Sequence, residues 1–225
     1  MNKKLRILIV DDHPMTVDGY INVLSEEGFP GYELTFNKAL NCKEAFEIIT
    51  NKETKPDVAY LDLSLPPYPE EKIFSGLDLG ILLRKTYPDC TIIFLTMHSE
   101  SSLIERLIAA TNPQGILCKS DIDIDEFVKA FHIIFGGQKH YSNKIQKSLK
   151  DRALDNFKLD SYDRQILMRL SEGIAKTNIP NYVPLSLDNI TERIDNVKKL
   201  ILKDESTDSN SDAALVEAVK KMGIL

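Results

Sequence analysis

Cysteine is scarce in this sequence of 225 residues, and tryptophan is absent. The three cysteines, Cys42, Cys90 and Cys118, are widely spaced and form neither a CxxC pair nor a cluster with histidine. Such spacing indicates neither a disulfide framework nor a zinc site. We therefore expect reduced thiols, as in cytoplasmic proteins.

The sequence also lacks long apolar runs and an excess of positive charge. No segment approaches the roughly 20 apolar residues that a membrane-spanning helix requires. The apolar run at residues 7–10 is too short for a secretory signal, and two aspartates end it. The formal net charge of -6 gives no global attraction to nucleic acid or anionic membranes, although it leaves room for a local basic patch. We expect a soluble cytoplasmic protein that does not bind membranes.

The first half of the chain alternates short apolar segments with amphipathic ones. The apolar segments have the length of strands, and they cover residues 5–10, 33–39, 57–63, 91–97 and 115–119, of which 33–39 is the weakest. Between them, apolar residues recur at a spacing of three and four, which is the period of a helix. This alternation predicts a doubly wound α/β domain, in which five parallel strands are covered by helices on both faces.

The second half of the chain has a different pattern. Residues 138–158 are polar and rich in lysine, which is typical of a linker, and from Leu159 onward the periodicity is purely helical. We therefore predict an α/β domain over residues 1–137, a linker over 138–158 and a small all-α domain over 159–225.

The ends of the predicted strands hold three carboxylates, a hydroxyl and an amine, which are Asp11, Asp12, Asp62, Thr96 and Lys119. In an open parallel sheet, ligands bind beyond the carboxyl ends of the strands, so these groups should meet at one edge. Three carboxylates this close repel one another unless a divalent cation neutralises them, and hard oxygen ligands suit Mg2+. The sequence therefore predicts a Mg2+ site at this edge of the sheet.

These residues resemble the signature of the receiver domain of two-component response regulators. That family has an acidic pair after the first strand, a phosphoacceptor aspartate ending the third, a Ser or Thr ending the fourth and a lysine ending the fifth. The matching residues are Asp11 with Asp12, then Asp62, Thr96 and Lys119. The resemblance implies a flavodoxin-like fold. The second half of the sequence has no paired catalytic carboxylates, metal-ligand cluster, glycine-rich phosphate loop or nucleophile–base pair, so we expect no enzymatic role beyond self-phosphorylation and slow hydrolysis in the receiver.

The resemblance also implies a chemistry for the acidic residues. Asp62 is expected to attack a phosphohistidine of a sensor histidine kinase and to form an aspartyl phosphate. Mg2+ would be held by Asp12, Asp62 and the backbone carbonyl of Ser64, with Asp11 acting through water. Phosphoryl transfer consists mainly of positioning and charge neutralisation, which these groups provide.

Lys119 and Thr96 are the expected switch residues, and other positions depart from the family pattern. Lys119 would pair with a phosphoryl oxygen, and the hydroxyl of Thr96 would turn inward once the phosphate is present. Ser120 stands where proline usually follows the lysine, and Ile116 stands where many receivers have a rotating Tyr or Phe. The loop at 64–75 is about six residues longer than usual, and it either gates the site or is a surface loop without a role.

The second half resembles the LuxR-type helix-turn-helix output domain over roughly residues 155–225. Asp160 with Asp163 matches a helix-capping box, and Glu172 with Gly173 matches the first turn. The apolar framework is matched by Ile179, Val183, Leu185, Ser186 and Ile190. The resemblance implies DNA binding and transcription regulation, with a homodimer formed on phosphorylation.

The predicted recognition helix leaves an alternative open. Its outer face presents Asp188, Glu192, Asp195 and Lys199, and Pro180 lies in the supporting helix. Because phosphate contacts usually dominate DNA affinity, this acidic face leaves a second alternative behind DNA binding, a helix-turn-helix that has become a protein-interaction or dimerisation module.

Overall fold

The computed structural model describes residues 2–202, 211–222 and 224, without the side chains of 154–156. Contacts divide the chain into two compact units, Met1–Ile145 and Gln146–Leu225. The division falls inside the range predicted as a linker, where the structure has a short strand and a helix. The domain boundaries at 137 and 158 stay predictions.

The first unit contains a parallel sheet with the order β2-β1-β3-β4-β5-β6. Its strands are β1 (Lys3–Val10), β2 (Tyr32–Ala39), β3 (Val58–Asp62), β4 (Thr91–Thr96), β5 (Gly115–Cys118) and β6 (His140–Tyr141). The doubly wound α/β fold is confirmed, but the predicted number of five strands is wrong. The sixth strand has two half-buried residues, which is too short to produce a periodic signal in the sequence.

Five helices cover the two faces of this sheet: α1 (Pro14–Glu27), α2 (Cys42–Thr50), α3 (Gly76–Thr86), α4 (Ser101–Thr111) and α5 (Ile124–Phe135). Several begin at a polar capping residue. Asn41 accepts from Glu44 N–H at the start of α2, and Asp123 accepts from Glu126 N–H at the start of α5. Such caps satisfy N–H groups that have no acceptor within the helix.

The central strands are apolar on both faces because helices cover both sides of the sheet. All five residues of β3 and all four residues of β5 are buried. Asp62 is the last residue of β3 and is buried like the rest of the strand. Its carboxylate therefore lies at the carboxyl edge of the sheet.

The second unit is helical, as predicted. Its elements are α6 (Asn143–Asn156), which begins in the first unit, α7 (Ser161–Ser171), a 3-10 helix (Lys176–Asn181), α8 (Leu187–Ile201) and α9 (Asp212–Lys221). The stripe predicted on α8 is buried, since Ile190, Ile194, Val197 and Ile201 belong to the core of this unit. Pro180 lies inside the 3-10 helix rather than in an α-helix. Among the described residues, no helix is long and apolar enough to cross a membrane.

Candidate functional site

The carboxyl ends of neighbouring strands bring the predicted residues together at one edge of the sheet. Asp11 follows β1, Asp62 ends β3, Thr96 ends β4 and Lys119 follows β5. Asp11, Asp62 and Thr96 are buried, although they are polar. Buried polar groups require partners, and the site supplies most of them from its own members.

Lys119 bridges the two buried carboxylates. Its Nζ lies 2.6 Å from Asp11 Oδ2 and 2.7 Å from Asp62 Oδ2, and its side chain is 15% exposed. Burial alone would lower the pKa of Lys119, but hydrogen bonds to Asp11 and Asp62 raise it above its ordinary value. The ammonium is therefore charged at neutral pH and offsets part of the repulsion between the carboxylates.

The environment of Asp62 disfavours the charged form of its carboxyl group more than water does at the surface. Burial raises its pKa, the hydrogen bond and charge of Lys119 lower it, and the nearby charge of Asp11 raises it, with a net upward shift. Ser64 N–H points to Asp62 Oδ1 at 3.4 Å. On the other side, a Cβ on Gly76 would come within 1.9 Å of the Asp62 carbonyl oxygen, so α3 can approach the end of β3 only with glycine at this position.

Asp12 is the group best placed to bind a cation. Its Oδ1 atom is buried and makes no hydrogen bond, although His13 Nδ1 lies 2.8 Å away. Ligand atoms of Asp11, Asp12 and His13 all lie within 4.8 Å of one another. A buried carboxylate oxygen without a donor is stabilised by a hard cation, and carboxylate oxygens suit Mg2+. The donor set therefore fits the ion.

His13 also lies in the site, although the sequence predicted no role for it. Its backbone N–H donates to Asp11 Oδ1 at 3.1 Å, and its ring is exposed. The sequence feature that could have indicated His13 is its position directly after Asp11 and Asp12. Because imidazole is an uncommon Mg2+ ligand, we regard His13 as a neighbour of the carboxylates rather than as a metal ligand.

Thr96 and Lys119 are connected through the backbone. Lys119 N–H donates to the Thr96 carbonyl oxygen at 2.7 Å, and the Thr96 hydroxyl accepts from His98 N–H at 2.8 Å. Ile116, at the position where many receivers have an aromatic residue, is fully buried in the sheet. It has no aromatic ring that could rotate between the interior and the surface, so an aromatic switch cannot operate at this position.

The long loop at residues 64–75 is folded back on itself. Tyr68 and Ile73 form an isolated antiparallel bridge, and the Pro66 carbonyl accepts from Cys42 N–H at 3.0 Å. The Tyr68 ring packs edge-on against Phe46 of α2 at a centroid distance of 5.7 Å. The loop is therefore held against the start of α2.

The outer face of α8 is acidic, as predicted, since Asp188, Glu192 and Asp195 are all exposed. The neighbouring bases are engaged within the unit. Arg193 lies 2.8 Å from both Asp160 Oδ2 and Asp163 Oδ1, and Lys198 lies 2.7 Å from Asp212 Oδ1. The predicted capping box of Asp160 and Asp163 is present, so Arg193 joins α8 to the first turn of α7.

A doubly wound sheet with acidic residues, a threonine and a lysine at its strand ends defines a receiver domain. The chain belongs to the response regulators: the family model of the response regulator receiver domain matches residues 7–132, more than half of the chain. Together with the relatives described below, this match confirms the predicted resemblance to a response regulator with a LuxR-type output domain.

Individual relatives extend the likeness beyond the receiver. The transcriptional regulatory protein MctR of Rhizobium johnstonii is 25% identical over 198 residues, which cover 87% of this chain and 86% of MctR. A crystal structure of a LuxR-family two-component response regulator from Aurantimonas sp. SI85-9A1 is 30% identical with a TM-score of 0.54, covering 67% of this chain and 99% of that one. A structure of promoter-bound RcsB from Salmonella enterica serovar Typhimurium shares the fold, with 20% identity and a TM-score of 0.56 over 98% of this chain and 99% of RcsB.

Proposed function

We propose that Asp62 accepts a phosphoryl group from a phosphohistidine of a sensor histidine kinase and that this phosphorylation controls transcription through the second unit. The observation that supports the proposal most strongly is the bridge made by Lys119 between Asp11 and Asp62. It places a buried nucleophile beside a fixed cation, in a site with further acidic groups. This is the arrangement that phosphoryl transfer requires.

In the proposed reaction, an Asp62 carboxylate oxygen forms a bond to phosphorus while the bond between phosphorus and the histidine nitrogen of the kinase breaks. Lys119 keeps Asp62 ionised against the effect of burial and then neutralises a phosphoryl oxygen. The hydroxyl of Thr96, now bonded to His98 N–H, would exchange that partner for another phosphoryl oxygen. Each protein group thus stabilises charge on the transferred group.

Mg2+ belongs to this proposal as the expected cofactor. Asp12, Asp62 and the backbone carbonyl of Ser64 would hold the ion, with Asp11 acting through water. When bound, the ion would supply neutralisation of the phosphoryl oxygens. The buried Asp12 Oδ1, which lacks a hydrogen-bond donor, supports this assignment, and His13 would turn away from Asp12 when the ion binds.

The proposed output is regulation of transcription through DNA binding. The support comes from relatives: MctR is named a transcriptional regulatory protein, and the RcsB structure is bound to a promoter. Lys199 is exposed, and α8 follows the 3-10 helix as a recognition helix follows its supporting helix; both features are compatible with such a contact. A homodimer formed on phosphorylation would double the contacts that each copy can make.

A second candidate is favoured by the surface of α8. With Asp188, Glu192 and Asp195 exposed and both Arg193 and Lys198 paired with aspartates, this face offers little attraction to DNA phosphates. In the second candidate, the same receiver controls a protein-interaction or dimerisation module.

A salt titration of DNA binding separates the two outputs. The full chain is incubated with Mg2+, with or without beryllofluoride as a phosphoryl mimic, and binding to promoter and random DNA fragments is measured over a range of salt. Transcription regulation through DNA predicts sequence preference in the presence of the mimic, and each phosphate contact steepens the log–log salt slope by about one unit. Absence of binding at low salt, with and without the mimic, would support the protein-interaction module.

The matched variant replaces all three acids of the α8 face by lysine (Asp188→Lys, Glu192→Lys, Asp195→Lys). If this face meets DNA, nonspecific affinity and the salt slope both increase. If the face lies away from DNA, the slope stays that of the unmodified chain.

A further inference from the structure

The end of β5 and the loop that follows it are bonded at three points to Ser142 and the first residues of α6. Cys118 N–H donates to the Ser142 hydroxyl at 2.9 Å, Lys144 N–H donates to Asp121 Oδ2 at 2.6 Å, and Lys144 Nζ donates to Ser120 Oγ at 2.7 Å. We call these five residues the β5–α6 clamp. The clamp lies directly beside Lys119 in the sequence.

Ser142 forms the buried part of the clamp. Its hydroxyl accepts from the last residue of β5, and its own N–H donates to the Ile116 carbonyl oxygen at 3.0 Å. Both bonds are sheltered from water because Ser142 is buried. Breaking either bond would leave a buried polar group without a partner, so the end of β5 and the start of α6 are held together.

Asp121 forms the helix-capping part. Lys144 is the second residue of α6, so its N–H is among the first four that have no acceptor within the helix. A cap usually comes from the residue just before the helix, whereas here the carboxylate comes from the loop after β5. A carboxylate at this end also interacts favourably with the helix dipole. The first turn of α6 is thus stabilised by the loop that includes Lys119.

We propose that the β5–α6 clamp couples phosphorylation of Asp62 to the first turn of α6. The inference rests on the proposed role of Asp62 as phosphoacceptor. A phosphoryl group on Asp62 gives the Lys119 ammonium new oxygens to contact, at the expense of the present bonds to Asp11 and Asp62. The clamp residues Ser120 and Asp121 follow Lys119 directly, so its displacement moves them relative to α6.

The clamp therefore belongs to the unphosphorylated state and loosens on phosphorylation. Its loosening frees the N-terminal turn of α6, a helix that begins in the first unit and continues to Asn156 in the second. The first turn of α6 is therefore less stable in the phosphorylated state than in the unphosphorylated state. Phosphorylation thus shifts the equilibrium between the formed and the opened turn. Because such coupling acts in both directions, a weaker clamp should also make the site bind a phosphoryl group or its mimic more tightly.

The direct test measures hydrogen exchange of the Lys144 amide in the full chain with Mg2+, before and after addition of beryllofluoride. Loosening predicts that this amide exchanges about fivefold faster with the mimic, the effect of losing one hydrogen bond. In Asp121→Ala, exchange is already fast and does not respond to the mimic. The control Asp125→Ala removes an exposed acid from the first turn of α5 and behaves as the unmodified chain.

The reciprocal test measures the affinity of each variant for beryllofluoride. Asp121→Ala and Lys144→Ala should bind it about fivefold more tightly than the unmodified chain, while the exposed-lysine control Lys147→Ala should not change. Unchanged or weakened affinity in the clamp variants would overturn the inference, as would a Lys144 amide that ignores the mimic while the Thr96 amide responds. If neither amide responds and no beryllofluoride binds, the proposed phosphoacceptor site itself fails, and the inference fails with it.

Discussion

The Lys119 ammonium lies 2.7 Å from Asp62 Oδ2, which joins the residue after β5 to the last residue of β3. The same ammonium lies 2.6 Å from Asp11 Oδ2. Three groups from three strands thus form one charged cluster with little exposure to water. Such a cluster is most sensitive to the removal of Lys119, because that change leaves two buried carboxylates without a cation.

Replacing Lys119 by methionine should destabilise the first unit by about 3 kcal/mol, because two buried carboxylates lose their cation. The loss should be at least about 1 kcal/mol smaller when Asp62→Asn is already present, since only Asp11 then remains uncompensated. Chemical denaturation of the two single variants and the double variant measures this difference. The exposed control Lys129→Met should cost less than about 0.5 kcal/mol. Equal losses from Lys119→Met in both backgrounds would show that the cluster is not coupled.

The stability of Asp62→Asn should depend on pH in a defined direction. Because burial raises the folded-state pKa of Asp62, its contribution to stability is present below the unfolded-state pKa and is lost as pH rises through the folded-state pKa. Asparagine does not titrate, so the variant should be more stable than the unmodified chain at neutral pH. This advantage should shrink on acidification toward about pH 4. Thermal unfolding between these pH values tests the sign, and an advantage that grows on acidification contradicts it.

The close approach of α3 to Asp62 predicts a severe effect for Gly76→Ala. A Cβ at 1.9 Å from the Asp62 carbonyl oxygen forces the backbone apart, so both thermal stability and phosphorylation should fall. Gly19→Ala is the matched control, because a Cβ there meets nothing within 4 Å. Within α1, that change should stabilise the chain by about 0.5–1 kcal/mol. Similar stability of the two variants would mean that α3 does not approach Asp62 as described.

Asp12→Ala should abolish Mg2+-dependent phosphorylation and leave the fold intact, because removing one charge from a crowded acidic site relieves repulsion. Labelling by a small phosphodonor at several Mg2+ concentrations, together with thermal unfolding, provides the two readouts. The exposed control Asp89→Ala should label normally. Normal labelling of Asp12→Ala would remove Asp12 from the metal site.

Much of the receiver could be predicted from the sequence because its determinants are local. Strands buried on both faces appear as short apolar runs, and β3 is buried throughout. The convergence of Asp11, Asp62, Thr96 and Lys119 follows from the geometry of a parallel sheet, in which strand ends meet at one edge. The roles of these residues in phosphorylation and metal binding stay predictions.

Other features depended on contacts between distant segments and could not be predicted. The strand β6 exists because His140 and Tyr141 pair with β5, and two residues give no periodicity. The capping of α6 by Asp121 joins groups 23 residues apart. The pairing of Arg193 with Asp160 and Asp163 likewise depends on the packing of α8 against α7.

Mass spectrometry of the intact and digested chain determines whether Asp62 is the residue that is phosphorylated. The unmodified chain, Asp62→Asn and the exposed-acid control Asp125→Asn are each incubated with Mg2+ and a small phosphodonor. We predict one phosphoryl group on the unmodified chain and on Asp125→Asn, located in the peptide that contains Asp62, and none on Asp62→Asn. Equal labelling of Asp62→Asn and the unmodified chain would mean that Asp62 is not the phosphoacceptor.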